Sequence, residues 1–184
     1  MRWKNTQTEW GLTSRLFHWL MAAAILIMFA VGFTMINLPT TPLKIDLFRF
    51  HKSLGLLLLL LAIMRLFWRS IHPVPGLPAY LSDSEILLVR TGQYLMYALL
   101  ILIPVSGWII NSAANLPMQW FGLFDVPAIT GPSIKIEDYA KTAHLTLIII
   151  LGLAICAHIL AALRHHTIYK NNILNNMLGR QTKD

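Results

Sequence analysis

Four stretches of the chain are long and apolar enough to cross a bilayer as helices, running from about Ser14 to Ile36, Phe48 to Ile71, Ile86 to Ile110 and Tyr139 to Leu163. A hydrocarbon core of about 30 Å takes roughly 20 apolar residues as a helix. Inside it, every backbone N–H and C=O must be paired by the protein itself, which leaves only helices and closed barrels. Runs of this length predict an all-α membrane protein, a four-helix transmembrane bundle forming a single domain over 1–184, with the lipid bilayer as its surrounding partner. Composition agrees, since 56% of residues are hydrophobic and 12% charged, against roughly a quarter charged in soluble domains.

The first apolar run starts late, is too long for a signal-peptide core and lacks an A-x-A-like end, so it is expected to stay as a helix. Cys156 is the only cysteine. It excludes an intrachain disulfide and any CxxCH haem attachment, so a haem here is held by coordination alone. With the N-terminus inside, the inner flanks collect Arg2, Lys4, Arg15, Arg65, Arg69, Arg90, Arg164, Lys170, Arg180 and Lys183, whereas the outer flanks hold Lys44, Arg49, Lys52, Lys135 and Lys141. Ten against five favours both termini in the cytoplasm of a multi-pass bacterial inner-membrane protein. The net charge of +7 is then a topology signal, and no nucleic-acid partner is expected.

Two loops are short: "NLPTTPLKID", and "HPVPGLPAYLSDSE", which is broken by prolines and ends in a helix cap at Ser82 or Asp83. The third connection, about Asn111 to Asp138, is the longest. Its Trp120, Phe121 and Phe124 suit a short amphipathic piece at the outer interface, roofing what lies beneath.

The fourth stretch carries a histidine near each end, His144 and His158. An ionisable group in a bilayer is costly and persists where it has a partner. Fourteen residues at about 100° each fall about 40° short of four turns, so both rings face one side, about 21 Å apart along the axis. They cannot share one metal ion. His18 lies level with His158 and His51 level with His144, and the same 14-residue step leads from His18 to Gly32 and from His51 to Arg65. An outer layer of His51, His144 and Gly32 and an inner layer of His18, His158 and Arg65 are expected.

Two such layers suit two haem b groups, each held by an imidazole on either face while the macrocycle fills the space between helices. Gly55 is one turn beyond His51 and Ala22 one turn beyond His18, where a missing side chain admits a porphyrin or simply close helix packing. Arg15, Arg65 and Arg69 are candidates to pair with the inner haem's propionates. Hydrogen-bonded packing histidines, or a zinc or ion pathway, are the other uses of such residues. The layers have too few Asp, Glu or Cys for a closed tetrahedral site.

The motifs "FHWL", "HKSLG" and "ALRHHTIYKNNIL", with the spacing of His144 to His158, resemble the bacterial cytochrome b561 family over nearly the whole chain. These are di-haem four-helix membrane cytochromes that include superoxide:ubiquinone oxidoreductases. The resemblance implies His18 with His158 on a cytoplasmic-side haem, His51 with His144 on a periplasmic-side haem, and electron transfer between the periplasmic face and membrane quinone. Gln93 stands where relatives often have histidine, at a position that is not an axial ligand.

His165 lies seven residues past His158, about 20° off its face and about 10 Å deeper. There it either hydrogen-bonds a quinone carbonyl and passes a proton, as the resemblance implies, or is an interfacial residue of a basic flank, like its neighbour His166. On the outer side, Lys141 one turn before His144 and Lys52 next to His51 either draw an anionic donor such as superoxide or snorkel to the interface. The expected function is a superoxide:quinone oxidoreductase that accepts electrons at the periplasmic face and passes them to ubiquinone. The alternative is a non-enzymatic electron-carrying subunit serving a separate periplasmic redox protein or a dehydrogenase.

Overall fold

In a computed structural model, residues 2–78 and 80–179 are described. Arg180, Lys183 and the expected cytoplasmic terminus at Asp184 lie outside them. Four helices are long and apolar enough to cross a membrane: α1 (Leu12–Asn37), α2 (Pro42–Ile71), α3 (Asp83–Ala113) and α4 (Ile134–Thr167). Between α3 and α4 comes an antiparallel pair, β1 (Gln119–Trp120) and β2 (Phe124–Asp125), and a short α5 (Ile173–Leu178) follows α4.

α2, α3 and α4 begin before their apolar runs because polar residues outside the runs cap them. Thr41 accepts the backbone N–H of Lys44 at 3.4 Å, and Pro42 presets the first helical φ, so α2 begins well before Phe48. Ser82, rather than Asp83, caps α3, and Glu85 returns the bond to the Ser82 N–H at 3.0 Å. This capping box stabilises the helix start by about 1 kcal/mol. Ser133 caps α4 without the return bond, its hydroxyl accepting the Ile136 N–H at 3.4 Å.

The helices pack in series, α1 on α2, α2 on α3 and α3 on α4. The buried centre is Met21, Leu58 and Ala62, joined by Met28 and Leu100. Gly55 is buried in the α1–α2 seam, where a Cβ would stand 3.6 Å from the Met28 methyl. Large apolar side chains such as Phe33, Leu88 and Leu153 face outward, and contact with lipid covers them in a membrane.

At one end of the bundle the N-terminal segment is tied to the α2–α3 loop, with Asn5 Nδ2 donating to the Pro73 carbonyl and the Gly76 N–H to the Gln7 carbonyl, both at 3.0 Å. At this end Trp19 Nε1 also donates to the Met177 carbonyl of α5 at 3.1 Å. The opposite end carries the aromatic connection, which is a β-hairpin. Phe121 and Gly122 both have positive φ, a turn that closes with Leu123 N–H on the Trp120 carbonyl. Buried Ser53 of α2 fixes it, accepting the Phe121 N–H at 2.9 Å and donating to the Gln119 carbonyl at 3.2 Å. The hairpin therefore lies over α2 just past His51.

Candidate functional site

The structure brings four histidines together as two facing pairs. His18 of α1 meets His158 of α4 with ring centroids 6.1 Å apart, and His51 of α2 meets His144 of α4 at 6.5 Å. The 14-residue steps place their companions at the same levels. A Cβ on Gly32 would lie 3.6 Å from His51 Cε1, and Arg65 Nη2 stands 3.4 Å from His18 Nδ1.

The outer pair has supports that the sequence did not reveal. Pro104 interrupts the hydrogen-bond ladder of α3. Just before it, the Ile103 carbonyl receives both the Ser106 hydroxyl at 2.7 Å and His144 Nδ1 at 3.0 Å, while Ser106 Oγ is 2.8 Å from the same nitrogen. A carbonyl only accepts, so His144 carries its proton on Nδ1 and keeps the Nε2 lone pair for a metal. Gly107, one residue on, leaves room for the ring, since a Cβ there would come within 3.3 Å of His144 Cε1. The one sequence signal for these residues is "PVSG", a proline and a glycine bracketing a serine inside a membrane span. His51 Nδ1 is buried and has no hydrogen-bond partner among the described residues.

These pairs fit haem b. Two imidazoles on opposite faces of one metal, with bonds of about 2.0 Å and ring centres about 1.1 Å beyond the nitrogen, have centroids about 6.2 Å apart. Both pairs lie close to that value. Among the described residues, no group of three or more His, Cys, Asp or Glu is placed to hold a metal ion. Two nitrogens and nothing more suit an ion that brings its own equatorial ligands, as iron does in a porphyrin, and not a zinc that needs four from the protein.

A cationic cluster flanks the inner pair. Arg69 Nη2 donates to Gln93 Oε1 at 2.8 Å and lies over the rings of Trp10 and Tyr97, while Arg65 lies over Tyr97 at 5.8 Å. Neither arginine has a carboxylate partner among the described residues. Gln93 thus orients Arg69. Arg15, expected beside them, lines a different cleft with Leu12, Trp19 and Gly179, and Met177 separates the two cavities.

His165 is half-buried at the α5 end, whereas His166 is exposed. His165 Nδ1 is 3.0 Å from Asn171 Nδ2 and 3.2 Å from the Tyr80 hydroxyl, and the Tyr169 ring lies tilted against it with a centroid distance of 5.2 Å. Because an amide nitrogen only donates, the ring proton sits on Nε2. Tyr80 and Asn171 were not legible in the sequence, as they come from a loop and from the α4–α5 turn. At the opposite end Lys52 is held, its ammonium donating to Asn111 Oδ1 at 3.0 Å and to the Pro117 carbonyl at 3.3 Å. Lys141 forms an ion pair with Glu137 at 2.6 Å.

The family model for prokaryotic cytochrome b561 matches residues 9–180. The chain belongs to this family. It is 36% identical to cytochrome b561 homolog 2 of Escherichia coli (strain K12) over 192 aligned positions, covering all of this chain and 98% of that relative. It is also 29% identical to the probable superoxide oxidase CybB of Yersinia pestis over 131 positions, 71% of this chain and 74% of that one. A cytochrome b561 binds haem b, so the chain is a multi-pass bacterial membrane protein of electron transfer.

Proposed function

We propose that this cytochrome b561 is a di-haem oxidoreductase that takes electrons from superoxide at the periplasmic face and delivers them to ubiquinone near the cytoplasmic face. The observation that carries the reading is the pair of facing histidine couples near the two ends of α4, 6.1 and 6.5 Å between ring centres. In this reading His18 and His158 hold one haem b, and His51 and His144 hold the other. Haem b bound at each couple supplies reversible one-electron chemistry.

The chain's own residues set the conditions for that chemistry. Ser106 and Ile103 fix the orientation of His144 and raise the basicity of its Nε2. Arg65 and Arg69, held near the inner couple and without acidic partners among the described residues, neutralise propionate carboxylates. Gly55 contributes by letting α1 and α2 approach closely. Lys52 has no ion pair among the described residues, and its positive charge beside His51 draws superoxide. Lys141 adds less to that field, because Glu137 cancels most of its charge.

At the other end His165 donates from Nε2 to a quinone carbonyl and passes a proton, with Tyr80 and Asn171 holding its Nδ1. Two superoxide anions each give up one electron and leave as dioxygen, and one quinone takes the two electrons with two protons to become quinol. The relative named as a probable superoxide oxidase supports this donor. With the basic flanks inside, the α5 end faces the cytoplasm. Protease added outside intact cells is then expected to cut between residues 114 and 133 and to spare the α2–α3 loop. The opposite pattern would exchange the two faces.

A direct test supplies purified protein with a superoxide source and a soluble ubiquinone analogue. Quinol is expected to form only with the protein present, and added superoxide dismutase is expected to abolish it. Quinol formation that the protein does not accelerate would refute the superoxide reading. It would favour an electron-carrying subunit docked to a periplasmic redox protein, for which the exposed Leu123 and Phe124 of the hairpin offer an apolar tip.

A further inference from the structure

We propose that the cleft between α1 and α5 binds the phosphodiester of one membrane phospholipid, with Arg15 as its anion-binding residue. The cleft has a volume of about 200 Å³ and is lined by Leu12, Arg15, Leu16, Trp19, Met177 and Leu178, closed by Gly179. Leu16 and Trp19 are exposed on the outer surface of α1, so the cleft opens toward lipid. Among the described residues, Arg15 is the only charged one that lines it.

Arg15 is held in place, and no carboxylate among the described residues meets it. Its Nε is buried with no hydrogen-bond partner among the described residues. The guanidinium packs on the backbone of Gly179, where any Cβ would collide with it, and the positive φ of Gly179 lets α5 end there. Trp19 closes the side by donating to the Met177 carbonyl, which docks α5 onto α1. A guanidinium fixed beside apolar walls at the membrane interface calls for a planar or tetrahedral oxyanion attached to alkyl chains. A phospholipid supplies both. A quinone supplies the apolar tail but no charge, and free phosphate supplies the charge but nothing for Leu12, Leu16 and Trp19. Such a lipid would fasten α5, and with it the turn that carries Asn171, to the end of α1.

The test is lipid retention by the purified holoprotein. In native mass spectrometry after delipidation and re-addition of phosphatidylglycerol, the wild type is expected to keep one phospholipid per chain. Arg15→Gln is expected to reduce that occupancy roughly tenfold or more, as loss of a charge-assisted contact implies, while Arg15→Lys restores part of it. The haem spectrum of both variants should be unchanged, which also reports that they fold. Inorganic phosphate should not occupy the cleft and excess ubiquinone should not displace the lipid. Equal retention by wild type and Arg15→Gln would overturn the proposal. So would loss of haem in Arg15→Gln with Arg65 intact, which would make a propionate the anion, or displacement of the lipid by ubiquinone.

Discussion

Replacing His51 or His144 by alanine is expected to remove one haem from the protein and leave the other bound. Each ring is one of two protein nitrogens at its level, and no third His, Cys, Asp or Glu among the described residues stands ready to replace it. A haem with one ligand gone is held by a single imidazole and by packing alone, so it leaves during purification. The haem-to-chain ratio should fall from about two to about one. His18→Ala and His158→Ala should deplete the other haem, and the two sets of difference spectra should be distinct because Arg65 stands beside His18 while Ser106 supports His144. Combining His51→Ala with His144→Ala should do no more than either alone. Loss of both haems in every single variant, from protein that still runs as a folded species, would mean that the couples do not act independently.

The second large effect is expected at the quinone end. His165→Ala should leave both haems bound and reducible from the periplasmic side, yet slow their reoxidation by added ubiquinone roughly tenfold to a thousandfold, the loss of one hydrogen bond and one proton donor. Tyr80→Phe should do less, since Asn171 still contacts His165 Nδ1 at 3.0 Å. His166→Ala should do least, because its exposed ring points away from that cluster. Stopped-flow reoxidation separates the three. If His165→Ala reoxidises as fast as the wild type, the cluster around Tyr80 is an interfacial brace, and the quinone must approach near Arg69 instead.

Much of the architecture could be read from the chain because membrane helices announce themselves by length and hydropathy, and because a 14-residue step almost closes on whole turns. That step put His144 and His158 on one face and set Gly32 and Arg65 at the levels where the structure finds them. What escaped were contacts between elements far apart in sequence. A strand of two residues has no periodicity, so the aromatic connection showed its interfacial character but not its hairpin, which depends on the positive φ of Phe121 and on Ser53 from another helix. Charge alone grouped Arg15 with Arg65 and Arg69, whereas the intervening Met177 separates them. Lys52 and Lys141 looked alike from their neighbours in sequence. One is tied to neutral oxygens and keeps its charge, and the other is paired with Glu137. Gln93, where relatives often have histidine, left a third-helix role near the inner haem open, and its side-chain oxygen receives Arg69.

The central claim is that each facing couple holds its own haem b, and counting haem against chain in the purified wild-type protein tests it most directly. A pyridine haemochrome assay, set against protein quantified by amino-acid analysis, is expected to return two b-type haems per chain, with low-spin bis-imidazole spectra for both. One haem per chain, or none, from fully loaded protein would contradict it.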